Sequence, residues 1–280
     1  MHQPLVSILM TSYNREKYIA QAIESVLAST YQNFELIIAD DGSSDNTVNI
    51  ANAFAEKDSR IRVYINKTNL GDYPNRNMVA SYAKGRYLKY LDSDDYIYPW
   101  GLQILVTLME KFPQAGWGLC SLEQNIEKPF PFQLTPAEAY TYHYFGPGLF
   151  YKAPLSAIIK KEVFEKENGF NPIRMAGDFE MWHRLAQKYP VVAMPHGIVW
   201  YREHQAQEVN EYRKFIKIYE TIKVQYLNDK NCPLSPDLIN QVYKQDKKRT
   251  FKEILKGFIF MDFYRVKDNF VRLSVIKNAR

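Results

Sequence analysis

The strongest constraint on this chain is a change of period that repeats through its first hundred residues. Short apolar runs at Leu5 to Met10, Phe34 to Ala39, Arg60 to Ile65 and Tyr87 to Leu91 read as strands. Between them apolar residues recur at helical spacing: Tyr18, Ile19, Ala22, Ile23, Val26 and Leu27, then Val48, Ile50, Ala51 and Phe54, then Asn75 to Ala83. Asn14 is placed to cap the first of these helices. Strands that alternate with helices build an α/β fold with a mainly parallel central sheet covered on both faces, and ligands gather at the carboxyl ends of its strands. The polar turns after the strands are where chemistry is expected.

Further along, Trp100 to Phe112 reads as a helix stopped by Pro113, and Pro129, Pro131 and Pro136 break the next stretch into loops. Order returns at Leu155 to Val163, with a helix at Gly177 to Lys188 and a strand at Val191 to Met194; beyond His204 the pattern is helical apart from breaks at Cys232-Pro233 and Pro236. No internal repeat or low-complexity segment is present. With 46% hydrophobic and 24% charged residues in 280, the composition is globular, not disordered, collagenous or integral to a membrane. Two cysteines, Cys120 and Cys232, lack metal-ligand spacing and imply a reducing cytoplasm. The run Leu5 to Met10, with no basic residues before it, is too short for a signal peptide or a membrane span, so export is not expected.

The net charge of +5 is unevenly spread. Gln241 to Arg280 holds 11 Lys and Arg against 4 Asp and Glu, a balance of +7, which leaves −2 for the first 240 residues. That distribution argues against a nucleic-acid binder built on the main fold and for a basic appendage drawn to phosphate-rich surfaces. Aromatic residues make up 15% of the chain and crowd the region after residue 140, where they suit a sugar-binding surface or simple core packing.

Two turns carry most of the acidic chemistry. Asp92-Ser93-Asp94-Asp95 puts three carboxylates within four residues directly after an apolar strand. In extended backbone Asp92 and Asp94 project to one side and Asp95 to the other. Like charges that close resist joint ionisation unless a cation joins them, which points to Mg2+ or Mn2+ held by few carboxylates and completed by water and phosphate oxygens. The alternative is a solvated acidic loop that caps the helix near Trp100. In Asp40-Asp41-Gly42-Ser43-Ser44-Asp45-Asn46-Thr47 a glycine turn uses Ser44 or Asp45 as a helix cap, leaving Asp41 free to accept from a base N–H.

Four segments in this order resemble family 2 glycosyltransferases with a GT-A fold: Val6 to Asn14, the Asp40 to Asp45 run, Asn69-Leu70-Gly71 followed by Arg76-Asn77, and Leu91 to Asp95. The likeness covers about residues 4 to 204. It implies a Rossmann-like nucleotide-diphospho-sugar transferase domain at 1–204, with a nucleotide-binding half (1–98) and an acceptor and catalytic half (99–204), followed by a helical, basic extension at 205–280. Its Asp-X-Asp motif falls on Asp92, Ser93 and Asp94, with Asp95 adjacent, and implies contact with the metal and the donor's diphosphate and ribose. Thr11, Tyr13 and Asp41 fall where the family contacts the donor's base, and Arg76 on the phosphate side, with Asn75 in place of an alanine. Ala176 to Leu185 is similar to the segment that carries the general base, a role this resemblance gives to Asp178; Gly177 stands where the family has a glutamate. Tyr201-Arg202-Glu203-His204 is similar to a Tyr-Arg-X-His element, so His204 either completes the metal shell, touches the diphosphate, or is structural. His143, His183 and His196 each read as solitary structural histidines.

The resemblance implies a cytoplasmic, metal-dependent, inverting enzyme of cell-envelope or surface polysaccharide synthesis. A nucleotide-sugar donor, UDP-sugar favoured, would serve a glycan or lipid-linked acceptor, with Mn2+ or Mg2+ as cofactor. Acceptor selectivity is expected in Glu127 to Tyr151. Lys247-Lys248-Arg249 followed by Phe251, Ile254, Leu255, Phe258, Ile259 and Phe263 reads either as a basic amphipathic helix lying on the inner face of the plasma membrane or as a helix packed on the core with a solvated edge. A nucleotidyltransferase would want a glycine-rich loop after the first strand, and Thr11-Ser12-Tyr13-Asn14 has no glycine. A non-catalytic nucleotide-sugar binder or assembly protein is the remaining alternative, kept open by Gly177.

Overall fold

The computed structural model describes residues 3–204 and 208–277, without the side chains of 208–210. The expected junction at 205 and the terminal Arg280 of the basic tail lie outside the described residues. The first part runs β1 (Val6–Ser12), α1 (Ile19–Leu27), β2 (Phe34–Asp40), α2 (Thr47–Ala55), β3 (Ile61–Ile65), α3 (Asp72–Ser81) and β4 (Tyr87–Tyr90). It continues as β5 (Tyr96–Ile97), α4 (Gly101–Lys111), β6 (Trp117–Leu119), β7 (Phe132–Leu134), α5 (Pro136–Phe145), β8 (Ala157–Lys160) and α6 (Lys161–Lys166). The last elements are α7 (Gly177–Lys188), β9 (Val191–Ala193), β10 (Val199–Trp200), α8 (Ile216–Leu227), α9 (Pro236–Ile259) and α10 (Phe263–Lys277).

One sheet organises these elements. Strands β3, β2, β1 and β4 lie side by side and all parallel. The order continues through β8, β6, β9 and β7, where only β6 and β9 pair in parallel. Strands β5 and β10 make a separate antiparallel pair. Side chains alternate across the sheet, so Ile8, Met10, Leu36 and Ile38 enter one core while Leu9, Ile37, Ala39 and Leu88 enter the other. The second core also takes Ile222, Tyr226, Leu227, Val242, Tyr243 and Ile276 from the C-terminal helices. At about 1.5–3 kcal/mol for each large apolar side chain buried, that shared core fixes the helices against the sheet.

Chain order reverses between β1 and β4, which makes the carboxyl ends of these strands the expected ligand crevice. Several local expectations change. Asn14 does not cap α1, which starts at Ile19 without a side-chain cap; it adopts φ +53° and its side-chain carbonyl accepts from the Ser44 N–H at 2.9 Å. The proline-rich middle holds more structure than its composition implied, because Thr135 and Glu138 form a capping box with Pro136 in the first turn of α5. His143 and His183 are not solitary: their rings lie 5.4 Å apart in a buried aromatic cluster. Burial holds both well below the usual histidine range, His183 at about 3, so they are neutral packing groups.

Candidate active site

A cleft of about 890 Å³ opens at the carboxyl ends of β1, β2 and β4. Thr11, Tyr13, Asp41, Arg76, Asp92, Ser93, Asp94, Asp95 and Asp178 all line it, and His204 reaches it through Asp94. The turn after β2 is built by Asp40, whose carboxylate accepts from the N–H groups of Gly42 (3.1 Å) and Ser43 (2.7 Å) and from the Ser12 hydroxyl (2.9 Å). Gly42, at φ +84°, supplies the left-handed step. Asp41 is not free as the sequence implied. Its carboxylate accepts from Asn66 Nδ2 at 2.8 Å and from the N–H groups of Leu70 and Gly71 at 2.8 and 2.9 Å, so it ties the loop before α3 to the end of β2.

The Asp92 to Asp95 turn is laced with cations. Arg76 grips Asp92 with two parallel bonds of 2.7 and 3.0 Å and holds Asp72 with its Nε at 2.7 Å. Burial opposes the Arg76 charge, yet the two carboxylates outweigh it and drive its pKa further up. Thr11 donates to the same Asp92 oxygen at 3.4 Å. Asp94 Oδ2 takes Arg15 Nε at 2.9 Å and stands 3.0 Å from His204 Nε2. Asp95 is buried and accepts from the Arg202 N–H at 2.9 Å; burial first, then the Asp92 charge, push its carboxyl upward. Arg202 Nε also donates to the Asp94 carbonyl at 2.6 Å.

The four expected metal ligands are therefore divided among different partners, and among the described residues no three His, Cys, Asp or Glu side chains form a metal cluster. Asp94 and His204 remain together as a carboxylate and an imidazole on one spot. That pair fits Mn2+ or Mg2+, which bind through one or two carboxylates and leave other positions to water and substrate phosphate.

Asp178 stands in the first turn of α7 and accepts from the Phe179 N–H at 2.7 Å and from the Tyr73 hydroxyl. Burial raises its carboxyl to about 6 against those two bonds, which places it near neutral pH as a proton acceptor. Gly177 has a steric reason. A Cβ there would lie 2.7 Å from Tyr73 Cδ2 and 2.8 Å from the Asn171 carbonyl oxygen, so the Tyr73 ring occupies the space a larger residue needs.

Beyond Asp178 the wall is made by Tyr151, Pro172, Arg174, Met175 and Tyr219. Tyr151 is 61% exposed, and its ring stacks on Phe179 at 5.3 Å. Tyr219 comes from α8 and donates its hydroxyl to the carbonyl of Met175, a non-glycine residue held at φ +65°. Arg15, Arg202, Tyr73 and Tyr219 were not singled out by sequence reasoning. Only Arg202 lay inside a quoted motif.

Residues 7–167 match the family described as Glycosyl transferase family 2. Two uncharacterized glycosyltransferases of Haemophilus influenzae are similar: one is 39% identical over 129 residues (45% of this chain, 52% of the relative), the other 27% identical over 308 (98% and 90%). An Escherichia coli UDP-Glc:alpha-D-GlcNAc-diphosphoundecaprenol beta-1,3-glucosyltransferase, WfgD, is 43% identical over 111 residues, 40% of this chain and 43% of that protein. The chain thus spans about half the length of the relatives it matches at higher identity. Among solved structures, the mannosyltransferase PcManGT from Pyrobaculum calidifontis, in complex with GDP-Man and Mn2+, superposes with a TM-score of 0.68 at 16% identity, over 100% of this chain and 77% of that one. S. aureus TarS 1-349 with UDP-GlcNAc gives 0.64 at 15%, over 97% and 90%. The architecture is that of GT-A glycosyltransferases. Among the described residues, no helix is long and apolar enough to cross a membrane.

Proposed function

The chain belongs to glycosyl transferase family 2, and from that membership we propose a metal-dependent, inverting enzyme that moves a sugar from a nucleoside-diphosphate donor to a hydroxyl of a glycan or lipid-linked acceptor. The observation that carries this reading is one cleft lined by Asp92 and Asp94 as well as Asp178. Thr11 and Tyr13 serve the nucleoside directly and Asp41 by fixing the loop before α3 beside it, and Arg76 and Arg15 supply positive charge beside the diphosphate. Asp94 with His204 would hold the divalent ion, which when bound stabilises negative charge on the departing diphosphate. Asp178 takes the proton of the acceptor hydroxyl while that oxygen bonds to the anomeric carbon from the face opposite the leaving diphosphate oxygen. The bond to the diphosphate breaks and the configuration inverts. Tyr151, Arg174 and Tyr219 form the acceptor side.

A UDP-sugar is the favoured donor, in keeping with TarS and UDP-GlcNAc, and with the UDP-Glc and diphosphoundecaprenol in the name of the E. coli relative. The Mn2+ in the PcManGT complex supports metal dependence. A role in envelope or surface polysaccharide synthesis at the inner face of the plasma membrane, with residues 241–280 in peripheral contact, completes the reading. Thermal-shift titration with UDP-GlcNAc, UDP-Glc and GDP-Man, with and without Mn2+, tests it. Stabilisation that needs Mn2+ and disappears in Asp94→Ala is expected, together with slow donor hydrolysis by the wild type. Equal affinity with and without Mn2+ removes the metal from the account, and donor binding with neither hydrolysis nor transfer leaves only a binder.

A further inference from the structure

Resting on the reading that the C-terminal segment meets a membrane, we infer that the element entering the lipid is the tight turn between α9 and α10, not the side of a helix. Nine of the eighteen exposed large hydrophobic side chains among the described residues fall between Phe251 and Phe270. Phe258, Ile259, Phe260, Met261, Phe263 and Tyr264 crowd the turn itself, each 53% to 77% exposed. Along α9, Val242, Tyr243, Asp246, Thr250, Ile254 and Gly257 face the protein, and of the apolar stripe visible in the sequence only Ile254 is among them. Phe251, Leu255 and Phe270 are exposed along the helix sides, and the other six of the nine gather at the end of the hairpin.

The turn is built to present these side chains. The Asp262 N–H donates to the Gly257 carbonyl at 2.8 Å, and Asp262 Oδ1 accepts from the Arg265 N–H at 3.0 Å. A Cβ on Gly257 would lie 2.6 Å from Val266 Cγ2, so glycine lets the two helices close directly behind the tip. Met261, at φ +52°, completes the reversal.

Charge selects the occupant. Residues 244–277 carry ten Lys and Arg against four Asp and Glu, and exposed Lys248 and Lys252 share a helix face with Phe251 and Leu255. A second copy docked tip to tip would bring two basic rims together, whereas a bilayer with anionic headgroups attracts them. At 1.5 Å of rise per residue, Lys252 stands about 10 Å and Lys248 about 16 Å from Ile259 along α9. A tip seated at the acyl boundary therefore leaves these ammonium groups at headgroup level or just above it.

The test is co-sedimentation of the full chain with vesicles of phosphatidylcholine alone or mixed with phosphatidylglycerol. Wild type is expected to pellet with the mixed vesicles. Phe260→Ser/Met261→Ser/Phe263→Ser, on exposed positions, should bind about 100-fold more weakly, with donor-induced thermal stabilisation unchanged as the check on folding. Lys248→Gln/Lys252→Gln should weaken binding about tenfold or more to mixed vesicles only. Wild type that pellets with neither vesicle overturns the membrane reading itself. Tip substitutions that leave pelleting intact overturn the turn as the inserting element while the membrane reading stands. A concentration-dependent dimer that the tip substitutions dissociate, without vesicle binding, assigns the surface to a second copy and overturns the inference.

Discussion

On the β3–β2–β1–β4 side of the sheet, candidate residues sit at or just past the end of a strand: Thr11 within β1, Asp41 after β2, and Asp92 and Asp94 after β4, with Arg76 on the helix between. On the β8–β6–β9–β7 side, Asp178 opens a helix after a loop, His204 follows the small β5–β10 pair, and Tyr219 belongs to a helix outside the sheet. The first side is a repeated unit whose turns deliver polar groups to one edge. The second depends on loops pinned by contacts far away in sequence, such as Tyr219 on Met175 and Arg184 on the Gly169 carbonyl. Donor binding should therefore be separable from proton transfer by mutation.

The sharpest way to break that division is Asp178→Asn. Transfer should fall about 10³-fold or more while affinity for the nucleotide sugar holds; a parallel loss of donor affinity, measured by calorimetry, would mean the two sides do not act separately. Gly177→Ala comes next. The added Cβ meets the Tyr73 ring and the Asn171 carbonyl, so chemical denaturation should show a loss of about 2 kcal/mol. A cycle with Tyr73→Ala should recover part of it, and full additivity would show that the ring is not what excludes a side chain at 177. The smallest effect is expected from Tyr73→Phe. Asp178 must be ionised to accept a proton, so the acid limb of kcat/KM belongs near pH 6, with activity lost below it. Removing the hydroxyl that stabilises the carboxylate should move this limb upward by about one unit and leave the rate at pH 8 nearly unchanged. An unmoved limb would detach Tyr73 from the base.

The tail shows a similar division. Of the residues in its apolar periodicity, Ile254 packs on the protein while Phe251, Leu255, Phe258, Ile259 and Phe263 do not. Period alone cannot tell these apart, because burial depends on whether a partner surface lies opposite.

The alternation of strands and helices, the polar turns after them, and the acidic run from Asp92 to Asp95 were legible in the chain because each follows from side-chain period or from a short run of neighbours, whereas Asp178 stood out only through the family resemblance of Ala176 to Leu185. Tertiary structure alone decided who partners whom. Arg15 meets Asp94 across 79 residues of sequence, Arg202 meets Asp95 across 107, and the Tyr73 ring fills the space beside Gly177. A hydrogen bond or an ion pair forms only within a few tenths of an ångström of its proper distance. Such precision comes from the way whole elements pack, which local sequence does not encode.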